Sequence, residues 1–118
     1  MKLKRVVVTG LGALTPLGNS VSAYWEGLKS GTSGADPITR FDASTFPTRI
    51  GGEVKDFDVS QYLSAKEARR MDVFIHYGLA AGIQALKDAG IEAKPADAER
   101  IGVTGGSAGG HLAQFLGV

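Results

Sequence analysis

Cysteine is missing from the 118 residues altogether, which removes disulfides, thiolate metal sites and a thiolate nucleophile in one step. An excess of charge of either sign is missing too. Thirteen Lys and Arg stand against 12 Asp and Glu, a net +1, so no overall field draws the chain to nucleic acid or a membrane. A basic patch has to be argued locally. Long hydrophobic runs are absent: nothing approaches the roughly 18 apolar residues of a membrane span. The basic start Met1-Lys-Leu-Lys-Arg5 is followed only by Val6–Val8 before a glycine, which is a strand and not the apolar core of a signal peptide. There is no internal repeat. What is present, 43% hydrophobic and 21% charged residues, predicts a soluble globular chain of at most one domain, able to bury a core of moderate size.

The most informative stretch is Lys4-Arg-Val-Val-Val-Thr-Gly-Leu-Gly-Ala-Leu-Thr-Pro-Leu-Gly-Asn19. Arg5–Thr9 predicts a buried strand, because its β-branched run shows no polar alternation and ends sharply at Gly10. Gly10-Leu-Gly12 after a strand invites a dinucleotide-binding reading. That fingerprint needs a third glycine three residues after the second, to start a helix against the pyrophosphate, and here the position is Thr15, followed by Pro16. No second strand ending in an acid follows at the required distance. The stretch reads instead as strand, wide Gly/Pro turn and helix start.

A short helix is expected over Ser20–Ser30, capped by Asn19 or Ser20 and stopped by Gly31. Val21, Tyr24, Trp25 and Leu28 form one apolar stripe on it, and Trp25 is expected in the core. Gly31 to Pro47 reads as loop, and Arg49–Phe57 as a strand interrupted by Gly51-Gly52. The clearest element is a predicted helix over Ser64–Ala89, with Ser64 and Glu67 as a capping box and Gly90 as the stop. At 100° per residue Ala68, Met71, Ile75, Leu79, Gly82 and Leu86 share a core face, while Lys66, Arg69 and Arg70 lie opposite, with His76 near Arg69. Three cations in the first turns of one long helix oppose its macrodipole. An ordinary solvated face and a docking site for an acidic partner both remain open readings. A second buried strand, Arg100–Thr104, a glycine-rich turn and a helix beginning at Leu112–Leu116 complete an α/β layered pattern with at least partly parallel pairing.

These residues resemble a known family. The stretch 6–19, Gly31-Thr-Ser-Gly34, Arg40-Phe-Asp42, Val54-Lys-Asp-Phe57, Arg70-Met-Asp-Val-Phe74, Tyr77-Gly78, Ala80-Ala81, Asp88-Ala-Gly90 and Arg100-Ile-Gly102 look like the opening of β-ketoacyl-(acyl carrier protein) synthases, in particular the type II elongating enzyme of bacterial fatty acid synthesis. The resemblance covers residues 1 to about 103, leaving 104–118 as a divergent turn and helix start. It implies that residues 1–118 are a partial N-terminal domain of a thiolase-like α-β-α-β-α fold, belonging in the full-length family to a cytoplasmic homodimer. It implies an acyltransferase that condenses an acyl chain with malonyl, both arriving on the phosphopantetheine arm of acyl carrier protein, with no further cofactor or metal and no nucleic acid or membrane partner. The family's nucleophilic cysteine and two histidines lie beyond the matched stretch, and neither His76 nor His111 sits in a matching motif, so the chain alone is expected to be inactive. One element carries over by position: Lys66, Arg69 and Arg70 occupy the family's carrier-docking segment.

The tail departs from the family's pattern. Gly109 stands at the position where the family places a bulky residue that lines and gates the acyl pocket. Gly105-Gly-Ser-Ala-Gly-Gly-His-Leu-Ala113 looks instead like the nucleophile elbow of esterase-type α/β-hydrolases, with Ser107 as the exposed hydroxyl. No Asp or Glu follows Ser107, and His111 lies one helical turn on, poorly placed to act as its base, so Ser107 is a weak catalytic alternative. Three readings follow: a truncated or fragmentary synthase, a non-catalytic carrier-binding module, and a chimeric frame ending in a hydrolase-like elbow. The predicted strands should pair with strands that come later in the family, so the chain alone is expected to expose sheet edges and to aggregate, oligomerise or become molten.

Overall fold

A computed structural model describes residues 3–92 and 100–103. Its order is helix α1 (Val21–Lys29), strand β1 (Asp36–Pro37), strand β2 (Ile50–Gly51), a single 3-10 turn at Val59–Gln61, helix α2 (Ala65–Ala68) and helix α3 (Val73–Asp88). The strands pair antiparallel, Asp36 opposite Gly51 and Pro37 opposite Ile50. No parallel ladder forms among the described residues.

Helix α1 starts where Ser20 accepts the Ala23 amide and runs to Lys29, so the cap and the extent of the helix follow the expected pattern. Its apolar stripe does not find a core. Trp25 is 57% exposed and Leu28 is exposed as well, because no described element covers that face. The turn before it is closed by Thr15 and Gly18, whose amides and carbonyls bond reciprocally at 2.9 and 3.1 Å. The Thr15 hydroxyl adds bonds to the Gly18 carbonyl and from the Leu17 amide. Thr15-Pro16-Leu17-Gly18 is therefore a β-turn.

The expected strand at Arg5–Thr9 does not form. Those residues are in no ladder, and Val6 and Val8 are 89% and 82% exposed. Residues 100–103 are likewise in no strand, and the predicted strand over Arg49–Phe57 shrinks to Ile50–Gly51. The physical reason is shared. A strand is stabilised by the ladder beside it, and no described segment offers these residues one.

The long helix of the sequence reading is two helices. Ser64 and Glu67 do form the capping box, but α2 ends after one turn, tightened by i→i−3 bonds from Arg70 to Glu67 and from Met71 to Ala68. Asp72 then adopts an extended backbone and caps α3, its carboxylate accepting the Val73 amide at 2.7 Å. Gly90, at φ +66°, terminates α3 in the left-handed region as expected. The core sits on α3: Leu79, Ala80 and Gly82 are buried, with Ile75 and Leu86 half-buried beside them.

Candidate functional site

Gly10-Leu-Gly12 has a packing role, and it explains why the sequence mimics a nucleotide turn. The segment lies against a stripe of small residues, Ala81 and Ala85 on α3 and Ala89 at its C-cap, one helical turn apart. A methyl group on Gly12 would stand 1.9 Å from the Ala81 carbonyl oxygen, and one on Gly10 would stand 2.1 Å from that of Ala85. Polar side chains flanking the stripe hold the segment in place. Asp88 accepts the Leu11 amide at 3.0 Å and Gln84 accepts the Ala13 amide at 3.2 Å. Gln84 also donates to the Asn19 carbonyl at 2.8 Å and to the Tyr62 hydroxyl at 3.0 Å. Two of the backbone amides that a phosphate-binding loop would turn towards its ligand, those of Leu11 and Ala13, are here committed to α3.

Lys66, Arg69 and Arg70 are all exposed, as expected. The structure changes the electrostatics of their placement. Because α2 is a separate helix, Arg69 is its C-cap, where the helix end favours a cation, while Lys66 stands within its single turn. Arg69 uses Nε to donate to the Ala65 carbonyl at 3.1 Å. The one acid inside the segment is occupied. The Glu67 carboxylate accepts the Ser64 hydroxyl at 2.6 Å and the Ser64 amide at 3.0 Å, and the hydroxyl bond above all holds its pKa below the usual glutamate value. Among the described residues none of the three cations forms an ion pair. The result is three exposed cations in and just after α2, with the ionised Glu67 carboxylate among them.

His76 does not join Arg69. Its ring is half-buried, and Nε2 lies 2.9 Å from the Ala68 carbonyl oxygen, spanning from α3 back to the end of α2. Ser107, Gly109 and His111 lie outside the described residues.

A second cluster was not legible as a unit in the sequence. The Arg40 guanidinium donates to the Tyr77 hydroxyl and stands 5.8 Å from the centre of that ring, while Phe57 packs edge-on against Tyr77 at 5.1 Å. Glu53 accepts the Thr39 hydroxyl and the amides of Thr39 and Arg40, which lowers its pKa, the Thr39 hydroxyl most strongly. Lys55 pairs with Asp36. Arg40, Glu53, Lys55 and Asp36 each have a partner here, and the Arg40–Tyr77 contact ties the loop to α3. The segments Arg40–Asp42 and Val54–Phe57 contain Arg40, Lys55 and Phe57, but only the fold brings Tyr77 to them. Among the described residues no group of three or more His, Asp or Glu is placed to hold a metal ion, and no helix is long and apolar enough to cross a membrane.

Residues 3–116 match the family model described as "Beta-ketoacyl synthase, N-terminal domain", a match that continues past residue 103 into the glycine-rich tail. The chain is 54% identical over 112 residues to 3-oxoacyl-[acyl-carrier-protein] synthase 2 of Vibrio harveyi, covering 95% of this chain and 27% of that protein. It is 53% identical to the protein of the same name from Synechocystis and 44% identical to that of Staphylococcus aureus, with the same coverage. Among solved structures, the ishigamide ketosynthase/chain length factor superposes with a TM-score of 0.67 at 37% identity, over 73% of this chain and 21% of that one. The chain thus spans about a quarter of the length of the curated relatives it matches.

Proposed function

The chain belongs to the β-ketoacyl synthase family and carries the opening part of its thiolase-like α/β fold, and from that premise we propose that it contributes the carrier-protein docking face of a fatty acid elongating synthase but no condensing chemistry of its own. Its relatives are named as synthases of 3-oxoacyl-[acyl-carrier-protein]. On this reading the partner of Lys66, Arg69 and Arg70 is that carrier, an acidic protein presenting acyl and malonyl groups on its phosphopantetheine arm. The observation that carries the proposal is that Lys66, Arg69 and Arg70, in and just after α2, are exposed and form no ion pair among the described residues. Exposed cations of this kind contribute mainly to encounter rate and to salt-dependent affinity, which is what a carrier that must dock and leave repeatedly requires.

The absence of cysteine supports the second half of the proposal, because no thiolate is available to accept the acyl group. Condensation, and the homodimer of the full-length family, then depend on the roughly three-quarters of the longer relatives' length that residues 1–118 do not span. Titration with acyl carrier protein tests the docking face. Binding should weaken as salt rises, and replacing Lys66, Arg69 and Arg70 together by Glu should reduce affinity by about tenfold or more. Unchanged binding by that variant overturns the reading. Condensation of acyl and malonyl carriers by the purified chain overturns the claim that it lacks the chemistry.

A further inference from the structure

We infer that His76 is a positioning residue for the docking face, holding α2 in the orientation in which Lys66, Arg69 and Arg70 meet their partner; this rests on the carrier-docking reading above. A four-residue helix has no stability of its own, since nucleating one turn fixes several residues for a single hydrogen bond. The bonds inside α2 do not solve this. The Ser64–Glu67 box, the Arg69 side-chain bond to Ala65 and the tightening bonds from Arg70 and Met71 all begin and end between Ser64 and Met71. They shape the turn but move with it. Among the described residues, the one hydrogen bond that ties this segment to the rest of the chain is that between His76 Nε2 and the Ala68 carbonyl, at 2.9 Å.

The location of that bond gives it leverage. The Ala68 carbonyl and the Arg69 amide belong to one rigid peptide plane, so fixing the oxygen fixes the direction in which the chain enters Arg69 and Arg70. The anchor itself is firm: His76 stands in the first turn of a 16-residue helix, half-buried, directly before the buried stretch of that helix. A carbonyl only accepts, so Nε2 carries the proton in this contact. The same requirement identifies a substitute. Glutamine presents an N–H at comparable reach, asparagine is too short, and leucine has the bulk without the donor.

The experiment is titration of the chain and its variants with acyl carrier protein. His76→Leu and His76→Asn should weaken binding about three- to tenfold, the range that loss of one hydrogen bond converts to. His76→Gln should bind within about twofold of the parent, and all three should keep the parent's dependence on salt because the cations remain. If His76→Leu does not fold, the Gln and Asn pair decides. Binding by His76→Asn equal to that of the parent, or a loss by His76→Gln as large as that of His76→Asn, overturns the inference. Replacing Lys66, Arg69 and Arg70 by Glu separates the two levels. If that variant loses binding while the His76 variants do not, docking stands and positioning falls; if it binds like the parent, the docking reading itself falls.

Discussion

Leu3–Thr9 and Gly10–Asn19 are consecutive halves of one continuous segment, and they are held quite differently. The second half is anchored: Gly10 and Gly12 approach the backbone of α3 more closely than any side chain would permit, and Gln84 and Asp88 take up the amides of Ala13 and Leu11. The first half has the stronger strand-forming sequence and none of the structure, with its three valines exposed and no ladder beside them. The contrast separates two kinds of information. Side-chain propensity states what a segment is suited to, while formation depends on whether the complementary surface is within reach. For Gly10–Asn19 that surface is α3, in this chain. For Val6–Val8 the sheet neighbours are expected among the roughly three-quarters of a synthase that this chain does not span.

The sharpest way to break the comparison is to deny the anchored half its close approach. Gly12→Ala places a methyl group 1.9 Å from the Ala81 carbonyl and should destabilise the fold by about 3 kcal/mol in urea or thermal unfolding. The sign is diagnostic. A glycine that served only as loose turn punctuation would gain about 0.4–1 kcal/mol from the same change, through the unfolded state. Val7→Ala, in the bare half, should change stability by less than about 0.5 kcal/mol.

A smaller effect is expected at Gln84. Its carboxamide serves Ala13, Asn19 and Tyr62 at once, so Gln84→Ala leaves half-buried backbone and hydroxyl groups without partners. A loss of about 1–3 kcal/mol should follow, accompanied by faster amide exchange at Ala13. A change no larger than that of a surface substitution would mean that the glycine contact alone holds the anchored half.

Local signals in the sequence were read correctly where they are self-contained. The Ser20 cap, the Ser64–Glu67 box, the Thr15–Gly18 turn and the Gly90 stop each need only a few neighbouring residues, and each forms. Kinship was legible for a similar reason, since turn residues at fixed spacing survive without their tertiary setting. The break between α2 and α3 was missed because apolar periodicity runs across it, and the competing signal, Asp72 as a new cap, is a single residue. The burial of Trp25 and of Val6–Val8 was misjudged because burial requires a partner surface, and no window of sequence reports whether that partner is present. Of the docking face, the three cations were legible. The tying up of Glu67 followed from the box, but the His76 bond to Ala68 depends on a fold-back that periodicity cannot show.

The smallest expected change in stability is the most informative about the bare half. Replacing Val6 and Val8 together by Lys would cost several kcal/mol if they were strand residues buried in a sheet, because two charged groups would lose their water. Here both side chains already face solvent, so the double variant should unfold within about 0.5 kcal/mol of the parent. Its association state should change instead. A contiguous row of exposed valines whose backbone is unpaired among the described residues is a template for edge-to-edge pairing between copies, and lysines on such an edge oppose it. Sedimentation should therefore find the parent chain self-associated and the double variant shifted towards monomer. A large loss of stability in that variant would mean that Leu3–Thr9 is covered after all, and the two halves of the segment would then differ only in which surface covers them.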